Sequence, residues 1–202
     1  MNSELVREAE RKLQKLDPIL GELIKSQTLK PRTVRSEYFS ALCRSIIGQQ
    51  VSVAAAAAIF SRFENLTKLS PSTVVEMSEE VIREVGLSRQ KALYLKDLAK
   101  HFVDDPNVYN HLERQPDEQV IAELTVVKGI GVWTAQMFLM FTLARQDVFA
   151  PDDAGLQRAM MKLYKWETLP PLKELKQIAS AWSPYRTIAS FHLWQSLDNS
   201  PV

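Results

Sequence analysis

The chain has 202 residues, 46% hydrophobic and 24% charged, which is enough apolar sequence to bury a core as one domain or two small lobes. Its formal net charge is +1, so any contact with DNA must come from local geometry rather than a global basic field. The single cysteine, Cys43, excludes an internal disulfide, a cysteine-based zinc site and a four-cysteine iron–sulfur cluster. No apolar signal core or segment of transmembrane length occurs, so we expect an intracellular, soluble protein.

The first part of the chain predicts three helices. One runs over about 3–16 with Ser3 as its cap, and Asp17-Pro18 begins the second. Residues 28–34 are expected to form a connecting loop. A strongly apolar helix then covers about 36–47 and ends at Gly48, because glycine commonly terminates helices.

The middle of the chain continues the helical pattern. Ser52 is expected to cap the next helix, and two short helices lie between 71 and 86. Ser88 opens a longer helix through about Val103, and Asp117 begins one that ends at a pair of glycines.

The last third predicts four more helices. They cover about 132–144, from 153 to near 164, 171–181 and 184–197. Only six glycines and no strand-like alternation occur, so the predicted fold is all-α with roughly ten helices. We expect residues 1–202 to form a single unit of two lobes, one of about 36–145 and the other of 1–35 with 146–202.

The run Val127-Lys128-Gly129-Ile130-Gly131 joins two predicted helices. Two glycines spaced by one residue permit positive φ and leave the main chain without a side-chain shield. Amide N–H groups at the start of the following helix can then approach a phosphate oxygen, and Lys128 adds a positive charge. A tight helix–helix turn that binds nothing explains the same five residues equally well.

The residues that follow resolve this choice by resemblance. Gly129 and Gly131, then Thr134-Ala135, an amphipathic helix and the segment 147–153 resemble the helix-hairpin-helix, Gly/Pro-Asp glycosylase superfamily. The runs 46–52 and 86–92 are similar to segments of its alkyladenine branch, the 3-methyladenine DNA glycosylase II type. With the segment from Trp182 to Trp194, the resemblance covers about residues 36–198, in the compact form without an N-terminal mixed-sheet domain.

The resemblance implies that Asp153 is the catalytic residue. Cleavage of an N-glycosidic bond develops positive charge on the sugar, which a nearby carboxylate stabilises. The same carboxylate can orient or deprotonate the attacking water. Helix capping is the alternative role for Asp153. We expect Asp152 to play a supporting part, and Arg186 to pair with the acidic residues at 152–153.

The resemblance also separates two kinds of chemistry. In the bifunctional branch, a lysine lies two residues past the second hairpin glycine and forms a Schiff base with the sugar. Trp133 occupies that position here, so we expect a monofunctional enzyme that uses water. Trp133 and Trp194 match residues that line the pocket for the extruded base, and Phe39 is expected to border it. Alkylated purines are cationic, and electron-rich rings attract cations.

DNA contacts are implied at several positions. An enzyme that acts on a stacked base must extrude it and fill the gap, and Gln50 in the turn 48–50 is the expected insert. The family's usual proline before the first hairpin glycine is Lys128 here. The expected DNA-contacting residues are Lys128, Gly129, Gly131, Thr134, Gln50 and Ser88.

The predicted function is a monofunctional DNA glycosylase that removes alkylated purines such as 3-methyladenine and 7-methylguanine, and so starts base excision repair. We expect double-stranded DNA with damaged bases as the partner, a monomer, no organic cofactor and no catalytic metal. A monovalent cation at the hairpin carbonyls is implied by the family. Two alternatives stay open: a helix-hairpin-helix DNA-binding protein with weak or no catalysis, and a glycosylase for oxidised or deaminated bases.

Overall fold

The computed structural model describes residues 1–197, and this part of the chain is helical, as predicted. It contains twelve α-helices: α1 (Ser3–Leu16), α2 (Pro18–Lys25), α3 (Tyr38–Gly48), α4 (Val53–Thr67), α5 (Pro71–Glu76), α6 (Glu79–Arg83), α7 (Arg89–Asp104), α8 (Asp117–Leu124), α9 (Val132–Phe141), α10 (Ala154–Leu163), α11 (Leu172–Ser180) and α12 (Arg186–Gln195). A short 3₁₀ turn covers Leu112–Arg114. No helix within residues 1–197 is long and apolar enough to cross a membrane.

Side-chain caps fix most helix starts where the sequence placed them. Asp17 accepts a hydrogen bond from the Leu20 N–H at 3.0 Å, and Ser52 and Ser88 cap α4 and α7. The first cap was predicted one residue late, because Asn2 accepts from the Leu5 N–H at 2.9 Å and Ser3 already lies inside α1. In each cap, a side-chain oxygen accepts the N–H of the residue three positions later. Because this pattern can be recognised in the sequence, such helix starts are predictable.

The ends of helices were predicted less well. The helix expected over 132–144 stops at Phe141, where the chain turns back. Ala144 adopts a left-handed conformation with φ 52°, and the Arg145 N–H donates to the Leu139 carbonyl at 2.9 Å. Neither glycine nor proline marks this turn, so the sequence contained no local stop signal.

The chain divides into two compact units. Among the described residues, the first unit comprises Met1–Val34 and residues 139–197, and the second comprises Arg35–Phe138. The predicted lobes had their second boundary near 145, and residues 198–202 of the predicted lobe lie outside the described residues.

In the first unit, α12 forms the centre. It packs against α1, α2 and α10, and its residues from Thr187 to Trp194 are all buried. The indoles of Trp182 and Trp194 are among the largest fully buried side chains. A helix buried on every face is the expected centre of a small helical core, and the polar side chains of α12 are hydrogen-bonded inside the protein.

In the second unit, α7 forms the centre and packs against α3, α5 and α6, while α3 also packs against α4. Cys43 on α3 is fully buried, and burial raises the pKa of its thiol. This cysteine is therefore a small core residue, as its apolar sequence neighbourhood predicted.

Candidate active site and hairpin

Asp153 lies at the start of α10 and is only 7% exposed. Its Oδ1 accepts the Leu156 N–H at 2.7 Å, which is the hydrogen bond of a helix cap. The same oxygen accepts the indole Nε1–H of Trp194 at 2.8 Å. The structure thus shows the capping role, and the capping bond and the indole together fix the orientation of this buried carboxylate.

Gly155 makes this arrangement possible, although the sequence analysis missed it. A Cβ at this position would lie 2.9 Å from Asp153 Oδ1 and 3.1 Å from the Trp194 Nε1 atom. The only sequence signal was a glycine in the first turn of a helix, where glycine is a poor helix former. Any larger residue would separate the carboxylate from the indole.

Trp194 belongs to an aromatic cluster in the first unit. Its ring stacks on Phe141 with centroids 5.7 Å apart and lies 6.0 Å from the ring of Phe191. The guanidinium carbon of Arg32 lies 4.7 Å from the centroid of each of these two phenylalanines. The Arg32 guanidinium thus makes cation–π contacts with this aromatic cluster. Arg32 was not among the site residues predicted from the sequence.

The expected pairing of Arg186 with the residues at 152–153 is wrong. Its Nε donates to Asp147 Oδ1 at 2.7 Å, and its Nη2 donates to Asp147 Oδ2 at 3.0 Å. Burial alone would raise the pKa of Asp147, but the hydrogen bonds from Arg186 and Ser183 outweigh it and hold the pKa below its ordinary value. Arg186 and Asp147 are 39 residues apart and meet only because the tertiary fold brings their segments together. The spacing in the sequence therefore did not predict this ion pair. Asp152 is exposed.

His192 is fully buried on α12, two residues before Trp194. Its Nε2 lies 3.1 Å from Glu10 Oε1, and the Gln27 amide, with its nitrogen turned toward the ring, donates to Nδ1 at 2.8 Å. Burial lowers the pKa of His192 to about 4, so the ring is neutral near pH 7. His192 is a hydrogen-bonded core residue that joins α12 to α1.

In the second unit, the two hairpin glycines meet different requirements. Gly129 has φ 85°, and a Cβ there would lie 2.1 Å from the Tyr94 ring. Gly131 is exposed, with no heavy atom within 4 Å of the Cβ position, and leads into α9. The first glycine therefore avoids both an unfavourable main-chain conformation and a clash with Tyr94, whereas the second leaves the main chain bare toward solvent.

Lys128 precedes the two hairpin glycines and binds Asp97 of α7 through a hydrogen bond and an ion pair. Its N–H donates to Asp97 Oδ2 at 2.9 Å, and its Nζ lies 3.3 Å from Oδ1. The ammonium group remains accessible, since the side chain is 75% exposed. The Lys128 N–H is therefore already satisfied within the protein.

The other predicted residues of this unit have mixed positions. Trp133, the second residue of α9, is 36% exposed. Thr134 is only 4% exposed, so its hydroxyl is withdrawn from the surface on which we expected it. Phe39 is buried in edge-to-face contact with Phe102, at 5.2 Å between centroids. Ser88 is exposed, and its hydroxyl caps α7 at 3.3 Å from the Lys91 N.

The residues Gly48–Gln50 form what we call the insertion turn. Gln50 is exposed and adopts φ 58°, a left-handed conformation. Gln49 Nε2 donates to the Gly129 carbonyl at 2.8 Å, and Lys91 Nζ donates to the carbonyls of Ile47 and Gln49. Gln49 and Lys91 were not predicted from the sequence, because their contacts join segments about 40 to 80 residues apart.

Hairpin carbonyls are the expected ligands of the monovalent cation. The Val127 carbonyl accepts a hydrogen bond from the Ile130 N–H at 3.1 Å, and the Gly129 carbonyl accepts one from the side-chain amide of Gln49. A cation bound to either carbonyl oxygen would share that oxygen with an N–H donor. The monovalent cation stays a prediction. Within residues 1–197, no group of three or more His, Cys, Asp or Glu side chains is placed to hold a metal ion.

Comparison with known proteins gives concordant matches. Residues 43–184 match the family model described as HhH-GPD superfamily base excision DNA repair protein. DNA-3-methyladenine glycosylase 1 of Schizosaccharomyces pombe is 30% identical over 167 residues, which cover 80% of this chain and 73% of the relative.

Solved structures agree with these matches. A 3-methyladenine DNA glycosylase of S. pombe in complex with abasic DNA has a TM-score of 0.85 and 29% identity, covering 96% of this chain and 98% of that one. A DNA-3-methyladenine glycosidase of Bacillus halodurans has a TM-score of 0.81 and 34% identity, covering 93% and 88%. The chain belongs to the HhH-GPD superfamily of base excision DNA repair proteins.

Proposed function

We propose that this protein is a monofunctional DNA glycosylase that extrudes alkylated purines from duplex DNA and hydrolyses their N-glycosidic bond. The observation that carries the proposal is the buried Asp153 carboxylate, oriented by Leu156 and Trp194 in a chain of this superfamily. The names of the similar proteins, DNA-3-methyladenine glycosylases, support alkylated purines as the substrate class.

The proposed reaction begins with departure of the base. The N-glycosidic bond breaks, and its electron pair leaves with the base, which neutralises the positive charge of a 3- or 7-alkylated purine. The sugar becomes oxocarbenium-like, and the Asp153 carboxylate stabilises that charge. Water adds to the sugar carbon and gives up a proton, for which Asp153 is the acceptor. Because the leaving base is already cationic, the reaction needs no strong general acid.

Trp133 supports hydrolysis without a lyase step. An indole has no nucleophilic amine, so no Schiff base with the sugar can form at this position. We propose that Trp133, Trp194 and Phe39 contribute to binding the extruded base, and that Asp152 supports Asp153 through its charge.

DNA binding is proposed at exposed main chain and at the insertion turn. The N–H groups at the start of α9, after Gly131, are suited to a backbone phosphate, with the exposed Lys128 ammonium nearby in sequence. Gln50 would fill the gap left by the base, and Ser88 would contact a second phosphate. The proposal includes a monomer that acts inside the cell, where chromosomal DNA is found.

Base release from methylated DNA tests the proposal. Purified protein is incubated with methylated duplex DNA, and free 3-methyladenine and 7-methylguanine are measured against an Asp153→Asn control. Release above that control is expected. Bound DNA without release would indicate a binding protein instead, and release of hypoxanthine or 8-oxoguanine alone would indicate a different substrate class.

A further inference from the structure

We propose that Lys91 and Gln49 are positioning residues that fix the insertion turn against the hairpin, and so present Gln50 to DNA in a set conformation. This inference rests on the proposed function and concerns how the gap-filling residue is held. All the residues concerned lie in the second unit.

Lys91 holds the insertion turn from α7. Its Nζ donates to the Ile47 carbonyl at 2.9 Å and to the Gln49 carbonyl at 2.5 Å. Carbonyls at the end of a helix lack partners within the helix and carry the negative end of its dipole, so an ammonium group binds them well. The main chain of Lys91 is itself fixed, because its N–H donates to Ser88 Oγ.

Gln49 connects the insertion turn to the hairpin. Its amide nitrogen donates to the Gly129 carbonyl at 2.8 Å. Gly129 in turn packs so closely on the Tyr94 ring that a Cβ there would lie 2.1 Å from it. Lys91 and Tyr94 are three residues apart on α7 and therefore lie on the same side of that helix. The insertion turn, the hairpin and α7 thus form a closed set of contacts.

The bonds to Gln49 act directly on Gln50. Gln50 has φ 58°, a left-handed conformation that is unfavourable for a residue with a side chain. Such a conformation persists where its surroundings hold it. The carbonyl that Lys91 binds immediately precedes Gln50 in the chain, so Lys91 fixes the peptide plane from which Gln50 starts. A pre-set insert loses less conformational freedom when it enters the DNA stack.

Lys96 provides a matched control on the same helix. Its Nζ donates to the Val75 carbonyl at 3.0 Å and to the Met77 carbonyl, both near the end of α5. Lys96→Met therefore removes a lysine that binds helix-terminal carbonyls in the same manner, but far in sequence from the insertion turn.

The experiment compares Lys91→Met, Gln49→Met and Lys96→Met with the wild type. Free-base release is measured on methylated duplex DNA and on the same DNA after heat denaturation, and thermal unfolding is recorded. Lys91→Met and Gln49→Met should reduce kcat/KM on the duplex about tenfold or more, with at most about a twofold change on denatured DNA. Lys96→Met should lower the unfolding temperature without this duplex-specific loss, and Lys91→Arg should restore much of the duplex activity.

A second measurement follows the insert itself. On a duplex with 2-aminopurine beside an abasic-site analogue, Lys91→Met should reduce the fluorescence change on binding while Lys96→Met retains it. Equal losses on duplex and denatured DNA, or an unchanged fluorescence response, would overturn the inference. If the wild type releases no methylated base, the proposed function fails. If it does and Lys91→Met behaves like Lys96→Met, only the positioning role fails.

Discussion

The carboxylate site of the first unit and the hairpin of the second unit are built in opposite ways. Asp153 is buried, and N–H donors from α10 and α12 hold its Oδ1. Gly131 and Gln50 are exposed. The half-buried side chains of Gln49 and Lys91 bind main-chain carbonyls next to them in the sequence. A group that stabilises charge gains strength from a fixed, water-poor setting, whereas a group that meets a DNA backbone must reach solvent. Substitutions in the two regions should therefore separate chemistry from binding.

The largest expected effect is at Asp153. Asp153→Asn should reduce base release by about 100-fold or more, because the amide cannot stabilise a cationic sugar. Asparagine caps helices nearly as well as aspartate, so the unfolding temperature should change little. Single-turnover base release and thermal unfolding test this separation. A variant that loses stability in proportion to activity would contradict it.

Acidification tests the buried setting of the first unit. The folded-state pKa of His192 lies at about 4, below its unfolded value, so the unfolded chain binds more protons in between. The free energy of unfolding should be highest above about pH 6.5, where His192 is neutral in both states, and should fall by roughly 2–3 kcal/mol as the pH drops toward 4. Glu10 faces the ring, and burial raises the pKa of that carboxyl, so proton uptake by Glu10 in the folded protein would offset part of the loss.

Unfolding curves across this pH range measure the effect. His192→Gln should flatten the fall, whereas the control His111→Gln, at a half-exposed histidine paired with Glu123, should leave it unchanged. An identical slope in all three proteins would exclude His192 as its source.

The hairpin glycines provide a paired test. Gly129→Ala should cost about 1–2 kcal/mol of stability or more, because it combines positive φ with a clash against Tyr94. Gly131→Ala meets open space and should leave stability nearly unchanged, but a methyl group there would hinder a phosphate and weaken DNA binding. Denaturant unfolding and DNA affinity at fixed salt concentration distinguish them. Unchanged affinity in Gly131→Ala would exclude this main chain from the DNA contact.

The smallest expected effect is at the indole of Trp194. Trp194→Phe removes one donor to Asp153 and should lower base release about tenfold. Trp182→Phe is the matched control, since the Trp182 Nε1 donates to Asp17 Oδ2 at 2.9 Å in the same unit. That control should lose comparable stability while its base release per folded molecule stays at the wild-type level. Equal activities of the two variants would show that the indole does not act through Asp153.

The sequence by itself determined the helical class, most helix starts, and the positions of the capping residues and hairpin glycines. Caps at Asp17, Ser52 and Ser88 and the glycines of the hairpin depend on chemistry within a few residues, so local reading is sufficient. Asp153 was identified through resemblance, and its capping bond was also local.

Only the tertiary structure decided which distant groups meet. Arg186 bonds Asp147 rather than the residues at 152–153, the indole of Trp194 meets Asp153, and Lys91 and Gln49 hold the insertion turn. The bonded groups are separated by about 40 to 80 residues along the chain. Their contacts follow from helix packing and not from any periodicity of sequence, because packing direction depends on side chains across the whole core.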